Sequence, residues 1–357
     1  MQTKDLTKKN KIVINGDFLC RNLTGIERFA YETCTRLDKI VEKYSVSIYV
    51  PANARFIPDF KNIKIVKSKK SCKIFPLWEH FIFSQYLIKT HSTPLDFANA
   101  TPLFTPGIVF IHDIYAKLYP EDFTSRKDKL IRAYMCMMYR ISSMRAKKII
   151  TVSDFSKKQI SSIYKVKESD IDVIYNGWEH MQNITPDTSI LERYPSLQKG
   201  SFYFTLGSLQ KRKNLKWICQ YAAKNPDETF AISGKAISGM VSSDLEALKT
   251  LKNVILLGYV SDEEVKALMQ SCRAFVFPSY YEGFGIPPLE ALSCGAKIVI
   301  GNAACLPELY GKAAHYIEIN DTNVKLSELI QEKTEDPQPL LEKYSYQKAA
   351  EALKSYL

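Results

Sequence analysis

The stretch Ala274-Phe275-Val276-Phe277-Pro278-Ser279-Tyr280-Tyr281-Glu282-Gly283-Phe284-Gly285-Ile286-Pro287-Pro288-Leu289-Glu290 decides the reading of this chain. Its first four residues are a short buried strand, the Pro/Ser/Tyr/Gly tract is a loop, and Pro287 and Pro288 suit the first turn of a helix. Strand, loop and helix in that order make one step of an α/β fold, where ligands gather outside the carboxyl ends of the strands. Glu282 falls in the loop and Glu290 in the helix. Glycines 283 and 285 let a ligand approach the backbone closely, the amides at the helix start favour phosphate, and the two carboxylates accept hydrogen bonds from hydroxyl groups. Taken alone, the tract also reads as a Gly/Pro turn with two exposed acids.

The same grammar extends outward from this unit. Apolar strands are expected at 202–206, 229–233, 254–257 and 297–300 in the second half, and at 11–18, 45–50, 63–66, 109–111 and 148–152 in the first. Helices are expected at 77–90, 125–144 and 156–164, and a capping box at Thr24-Gly25-Ile26-Glu27 opens one that runs to about residue 43. Strands alternating with helices predict two doubly wound parallel sheets. The tract 176–199, with Gly177, Pro186 and Pro195, has linker composition. The expected division is therefore 1–180, a linker over 181–198, a second domain over 199–335, and a C-terminal helix over 336–357 that packs back toward the first domain. Neither half carries G-x-G-x-x-G after its first strand, which disfavours a dinucleotide oxidoreductase.

A second cluster, Thr205-Leu206-Gly207-Ser208-Leu209-Gln210-Lys211-Arg212-Lys213-Asn214-Leu215, also follows a strand. Three cations in a row at a helix start read either as a solvated helix N-terminus or, because they oppose the helix dipole, as the seat of an anionic ligand; Arg212 offers a planar fork and Lys213 a point charge suited to a diphosphate. In the first half, His112 and Asp113 follow the strand at 109–111, where they can meet a substrate or simply pack. Gly25 sits in the first strand-to-helix loop beside Thr24, where it serves either a ligand or the helix cap.

The 357 residues carry 49 Lys+Arg against 38 Asp+Glu, a net charge of +11. That excess is uneven: residues 1–180 hold 30 basic and 18 acidic side chains, residues 181–357 hold 19 and 20. A basic half joined to a neutral one predicts that one domain faces something anionic. Lys61, Lys64, Lys67, Lys69, Lys70 and Lys73 run into Phe75-Pro76-Leu77-Trp78 and Phe81-Ile82-Phe83, a pattern that fits either a membrane-surface contact or a solvated loop before a buried helix. No apolar run approaches the roughly 18 residues that span a bilayer, and the first residues lack a secretory apolar centre, so a cytoplasmic location is expected. The eight cysteines form no C-x-x-C pair, so neither a disulfide framework nor a zinc site is expected.

These motifs in this order resemble the retaining glycosyltransferases of family four, of GT-B architecture. Glu282 to Glu290 matches the family's E-x7-E element, and Gly207 to Leu215 its phosphate-clamping G-x-L-x-x-R-K-N-L element. Ile150-Thr151-Val152-Ser153-Asp154-Phe155-Ser156 matches T-V-S-x-x-S, Val173-Ile174-Tyr175-Asn176-Gly177 the strand before the linker, and Leu257-Gly258-Tyr259-Val260-Ser261 the loop at the nucleotide base. The resemblance implies two Rossmann-like domains facing a central cleft, and a metal-independent, cofactor-free hexosyltransferase. In it Arg212 and Lys213 hold the diphosphate with Gly207 and Ser208, Glu282 meets the donor sugar, and Glu290 the ribose. Gly283, Phe284, Gly285 and Ile286 offer backbone amides, Tyr259 and Val260 lie at the base, and Thr24, Gly25, His112 and Asp113 are on the acceptor side, His112 near the reacting sugar.

The substrates implied are a UDP-, GDP- or dTDP-linked sugar and a lipid-linked saccharide acceptor at the inner face of the cytoplasmic membrane, in surface polysaccharide, O-antigen or capsule assembly. No nucleic-acid partner is expected. Two alternatives are a GT-B nucleotide-sugar 2-epimerase and a basic module that binds nucleic acid or an anionic surface. Two positions depart from the family pattern: Ser208 where Arg is common, and Trp178-Glu179-His180 where a small apolar residue and Asp are commoner.

Overall fold

A computed structural model describes residues 11–23, 25–207, 210–234 and 244–357. Seven strands form one sheet: Ile12–Asn15 (β1), Val46–Val50 (β2), Lys64–Lys67 (β3), Thr93–Asp96 (β4), Ile108–Phe110 (β5), Lys148–Thr151 (β6) and Ile171–Val173 (β7). Their order is β3-β2-β1-β4-β5-β6-β7, every neighbouring pair parallel. Six more, Phe202–Leu206 (β8), Thr229–Ser233 (β9), Val254–Gly258 (β10), Ala274–Phe277 (β11), Ile298–Gly301 (β12) and His315–Ile317 (β13), form a second parallel sheet. Its order is β10-β9-β8-β11-β12-β13. Strands such as Ile12-Val13-Ile14 and Ala274-Phe275-Val276-Phe277 are buried at every residue, because parallel sheets are covered on both faces and cannot alternate apolar with polar. The fold is therefore α/β with two doubly wound parallel sheets.

Chain order reverses between β1 and β4 in the first sheet and between β8 and β11 in the second. At such a switch point the connections on either side leave in opposite directions and open a crevice at the strand ends. In the second sheet, the two loops that leave this point are those carrying the two chemical motifs of the sequence.

Several boundaries differ from the sequence expectation. The first helix is Ile26–Leu37, which stops six residues early, and its N-cap is Gly25 at φ 47° without a side-chain cap; Thr24, the first residue of the expected capping box, lies outside the described residues. β4 and β13 were not expected: Thr93-Pro94-Leu95-Asp96 offers too little apolar patterning, and its burial comes from β1 and β5 on either side. The expected helix at 77–90 is continuous from Phe75 to Thr90 but holds a wider π turn over Trp78–Phe83.

The chain folds into two compact units. One runs to Ile114, resumes over Tyr134–Asn176 and closes with Tyr346–Leu357; the other comprises Tyr115–Ala133 and Gly177–Ser345. Tyr115–Ala133, expected in the first domain, thus belongs to the second unit. The crossover is at residue 176, and the expected linker contains the helix Ser189–Arg193 and is part of that second unit. The expected C-terminal helix is two helices: Gln338–Lys343 belongs to the second unit and Tyr346–Lys354 to the first. Tyr346–Lys354 packs on Ile26–Leu37 through the buried Tyr346, Ala350 and Leu353, completing a core with Phe29, Ile48 and Phe110.

Candidate functional site

In the second unit, the loops after β8 and β11 are tied together by backbone and side chain. The amide of Tyr280 and the hydroxyl of Ser279 both donate to the carbonyl of Arg212, at 3.0 and 2.8 Å. Asn214 takes a left-handed conformation at φ 55°, which asparagine tolerates, and its side-chain amide reaches the carbonyls of Pro278 at 3.2 Å and Ile319 at 2.9 Å. Gly207 sits at φ 151°, and the stem of Lys213 lies 3.4 Å from where a β-carbon would stand. A β-carbon at 207 would stand in van der Waals contact with that lysine.

This framework brings Arg212, Lys213 and Glu282 together. Lys213 Nζ is 2.6 Å from Glu282 Oε1 and Arg212 Nη1 is 3.0 Å from Oε2, while Ser279 Oγ, whose one proton is shared between Oε1 and the Arg212 carbonyl, lies 2.7 Å from Oε1. Burial alone would push the Glu282 carboxyl up; the charges of Arg212 and Lys213 outweigh it and hold the group below its ordinary value. Two cations against one carboxylate leave this crevice with a net positive charge. Arg212 is further fixed by Gln210 Oε1 at 2.9 Å and lies over the Tyr115 ring, 5.5 Å from its centroid, while Lys213 lies 4.5 Å from the centroid of Phe277.

The loop from β11 enters the helix Ile286–Ser293 through Gly285, whose φ is 84°. A β-carbon there would come within 2.8 Å of Leu306, so both backbone and space require glycine. Pro287 and Pro288 carry no N–H, so Ile286 alone offers an amide among the first three helical residues. Further on, Glu290 is buried, and its Oε1 lies 2.9 Å from His180 Nε2. Tyr259, after β10, exposes three quarters of its surface, while Val260 beside it is buried.

Sequence reasoning missed the segment 115–123. Asp122 accepts hydrogen bonds from the hydroxyls of both Tyr115 and Tyr280, Tyr115 stacks on Tyr281 at 5.7 Å, and Tyr119 packs on Tyr280 and Tyr281 at 5.2 Å. The segment thus forms one wall of the loop that carries Glu282 and supplies the ring beneath Arg212. The only sequence signal for it was the density of tyrosines on both sides.

Two family models match the chain: "Glycosyl transferases group 1" over residues 188–351 and "Glycosyltransferase Family 4" over residues 23–180. The chain belongs to the group 1 glycosyltransferases. Its similarity to O-antigen chain mannosyltransferase B of Escherichia coli is 30% identity over 242 residues, covering 64% of this group 1 chain and 62% of that protein, under two thirds of its length. It is 23% identical over 325 residues to O-antigen chain mannosyltransferase RfbU of Salmonella typhimurium, covering 87% of each. Among solved structures, Anabaena Alr3699/HepE in complex with UDP and glucose matches with a TM-score of 0.68 at 16% identity, over 97% of this chain and 98% of that one. At that identity the likeness shows the fold, which is GT-B.

The residues expected on the acceptor side of this group 1 chain, as far as they are described, lie in the first unit. His112 follows β5, packs on Phe29 and Phe110, and its Nε2 is 2.9 Å from the Phe97 carbonyl. That nitrogen therefore donates, and burial pushes the imidazole pKa down to about 4, leaving it neutral near pH 7. Its own amide donates to Asn99 Oδ1 at 2.7 Å. Asp113 is half-buried beside it, and Gly25 caps the first helix. Ser208 lies outside the described residues. Among the described residues no group of three or more His, Cys, Asp or Glu side chains forms a metal cluster, and no helix is long and apolar enough to cross a membrane.

Proposed function

We propose that the chain transfers a hexose or deoxyhexose from a nucleotide-diphosphate sugar to a saccharide acceptor, with retention at the anomeric carbon. The observation that carries this reading is the grouping of Arg212, Lys213 and Glu282 at the β8/β11 switch point. As the glycosidic bond breaks, negative charge grows on the leaving diphosphate and positive character on the sugar. Arg212 and Lys213 are placed to stabilise the first, and the ionised Glu282 orients them. Both oxygens of Glu282 are already engaged, Oε1 by Lys213 and Ser279 and Oε2 by Arg212, which suits a charge-holding role rather than attack on the sugar. Retention is then assigned to assistance by the leaving phosphate, and neutralisation of that phosphate to side chains, without a metal.

The donor class is supported by the UDP and glucose bound to the Anabaena protein, and the place in O-antigen or related surface polysaccharide assembly by the two mannosyltransferase relatives. The acceptor proposed is lipid-diphosphate-linked and met at an anionic membrane surface on its cytoplasmic side. Lys61, Lys64, Lys67, Lys69, Lys70 and Lys73 are all exposed, as are Ile74, Leu77, Phe81 and Phe104 nearby in the same unit. Phe81 and Phe104 touch edge to face at 5.9 Å, giving an apolar spot beside a basic run.

Purified protein incubated with UDP-, GDP- and dTDP-sugars and a lipid-linked saccharide tests the reading. One donor should yield an α-linked product from an α-donor, read by NMR, at a rate unchanged by EDTA. Lys213→Ala and Glu282→Ala should each lower turnover by roughly 10²–10³-fold, the usual effect of removing one preorganised charge-stabilising group. Full turnover in either variant would remove the site assignment, and loss of turnover with EDTA the metal-independent mechanism.

A further inference from the structure

The tripeptide Trp178-Glu179-His180 departs from the family pattern, and the structure gives its last residue a partner. Residues 178–184 are fixed to the second unit without help from His180: Trp178 Nε1 donates to the Leu341 carbonyl at 2.9 Å, and Lys266 Nζ donates to the carbonyls of Met181 and Ile184, both at 2.7 Å. From that support the His180 ring, 5% exposed, presents Nε2 to Glu290 Oε1 at 2.9 Å. Because a carboxylate only accepts, Nε2 carries the proton. Glu290 hangs from the second turn of the helix Ile286–Ser293, whose start is locked by Gly285 and by the Tyr310 hydroxyl on the Gly285 carbonyl. The backbone position of Glu290 is thus set by its helix, while its flexible side chain is set by an outside residue.

We propose that His180 is a positioning residue for nucleotide recognition, holding the Glu290 carboxylate in the orientation that accepts the ribose hydroxyls of a nucleoside diphosphate. The inference rests on the donor reading above and deepens it, since it assigns a ribose-selecting role to a residue of the interdomain crossover. Ordering a glutamate costs side-chain entropy, and a buried hydrogen-bond partner meets that cost before the ligand arrives. The ligand then gains the full value of bonds to its 2′- and 3′-hydroxyls. A site built around those bonds also discriminates against a nucleotide lacking one of them.

The test compares UDP with 2′-deoxy-UDP, and GDP with 2′-deoxy-GDP, by calorimetry on the full chain as wild type, His180→Ala, His180→Gln, Glu290→Ala and the double alanine variant. Wild type should favour the ribonucleotide by roughly tenfold, the usual effect of one hydrogen bond to a charged group. His180→Ala should lose most of that preference, the double variant should fall no further than Glu290→Ala, and His180→Gln, which restores an N–H donor, should recover part of it. Thermal melts separate this from misfolding, because a purely structural tie would lower the melting temperature and leave the ribose preference intact. If His180→Ala does not fold, His180→Gln and Glu290→Ala carry the comparison. An unchanged ribose preference in the His180 variants, or a wild type that binds dTDP alone, overturns the proposal while the donor reading stands; a wild type that binds none of UDP, GDP and dTDP overturns both.

Discussion

Burial raises the free energy of an ionised carboxylate, and Glu282 and Glu79 answer that cost in opposite ways. Glu282 has two cations and stays ionised. Glu79 and Asp96, both fully buried in the first unit, pair with no cation among the described residues but share Asn15, its Nδ2 donating to Glu79 Oε2 at 2.5 Å and to Asp96 Oδ1 at 3.0 Å. Burial, reinforced for Glu79 by the nearby charges of Asp96 and Asp17, pushes both carboxyls well above their ordinary values. A group whose folded pKa is raised takes up protons more readily in the native state, so its stabilisation is complete below the unfolded value near 4.5 and fades as pH rises toward the folded one. Glu79→Gln removes that dependence while keeping an acceptor for Asn15. Thermal melts should show the variant gaining on wild type by roughly 2–4 °C at pH 8, for each 1 kcal/mol relieved, with the gap closing toward pH 5. Parallel curves for the two proteins would show that Glu79 is not carrying the proton. At this scale the sequence marked Glu282, Arg212 and Lys213 by their loops, but nothing near Glu79 in the chain distinguishes a buried acid from an exposed one.

Among elements, the loops after β8 and β11 and the segment 115–123 form a single device. The first two were legible because each follows a run of buried apolar residues and carries its own charged motif. The third was not, because Tyr115–Phe123 is separated from Tyr280 by more than a hundred and fifty residues and the attraction is between side chains. Asp122 receives two tyrosine hydroxyls, and burial together with the neighbouring carboxylate pushes the Tyr280 phenol pKa upward. Asp122→Ala should therefore remove the carboxylate to which both hydroxyls donate, at a cost of about 1–3 kcal/mol in urea titrations. It should also loosen the ring beneath Arg212, seen as a roughly tenfold rise in donor KM, equivalent to about 1.4 kcal/mol of binding, with a smaller change in kcat. A KM equal to wild type would confine the segment to a structural role.

On the scale of the whole chain, charge is divided more sharply than the total of +11 conveys. The basic excess lies in the sequence that builds most of the first unit, where six exposed lysines adjoin exposed Ile74, Leu77 and Phe81. Each basic residue near an anionic leaflet contributes about 1 kcal/mol, screened beyond a Debye length. The full chain should sediment with vesicles containing anionic phospholipid and not with purely zwitterionic ones, and replacing Lys69, Lys70 and Lys73 by glutamine should reduce the bound fraction severalfold. Equal binding to both kinds of vesicle would assign the contact to the apolar residues alone.

The sequence by itself determined that this chain builds two parallel α/β sheets, that Arg212, Lys213 and Glu282 sit in loops at strand ends and that Glu290 sits in the helix that follows, because buried strands, glycine-proline loops and helix starts are properties of neighbouring residues. Tertiary structure alone decided which unit owns Tyr115–Ala133, that the end of the chain divides between two helices in different units, and that His180 meets Glu290. Those outcomes depend on contacts between residues far apart in the chain, whose formation follows from the shape of the packed core and leaves no periodic trace in the order of the amino acids.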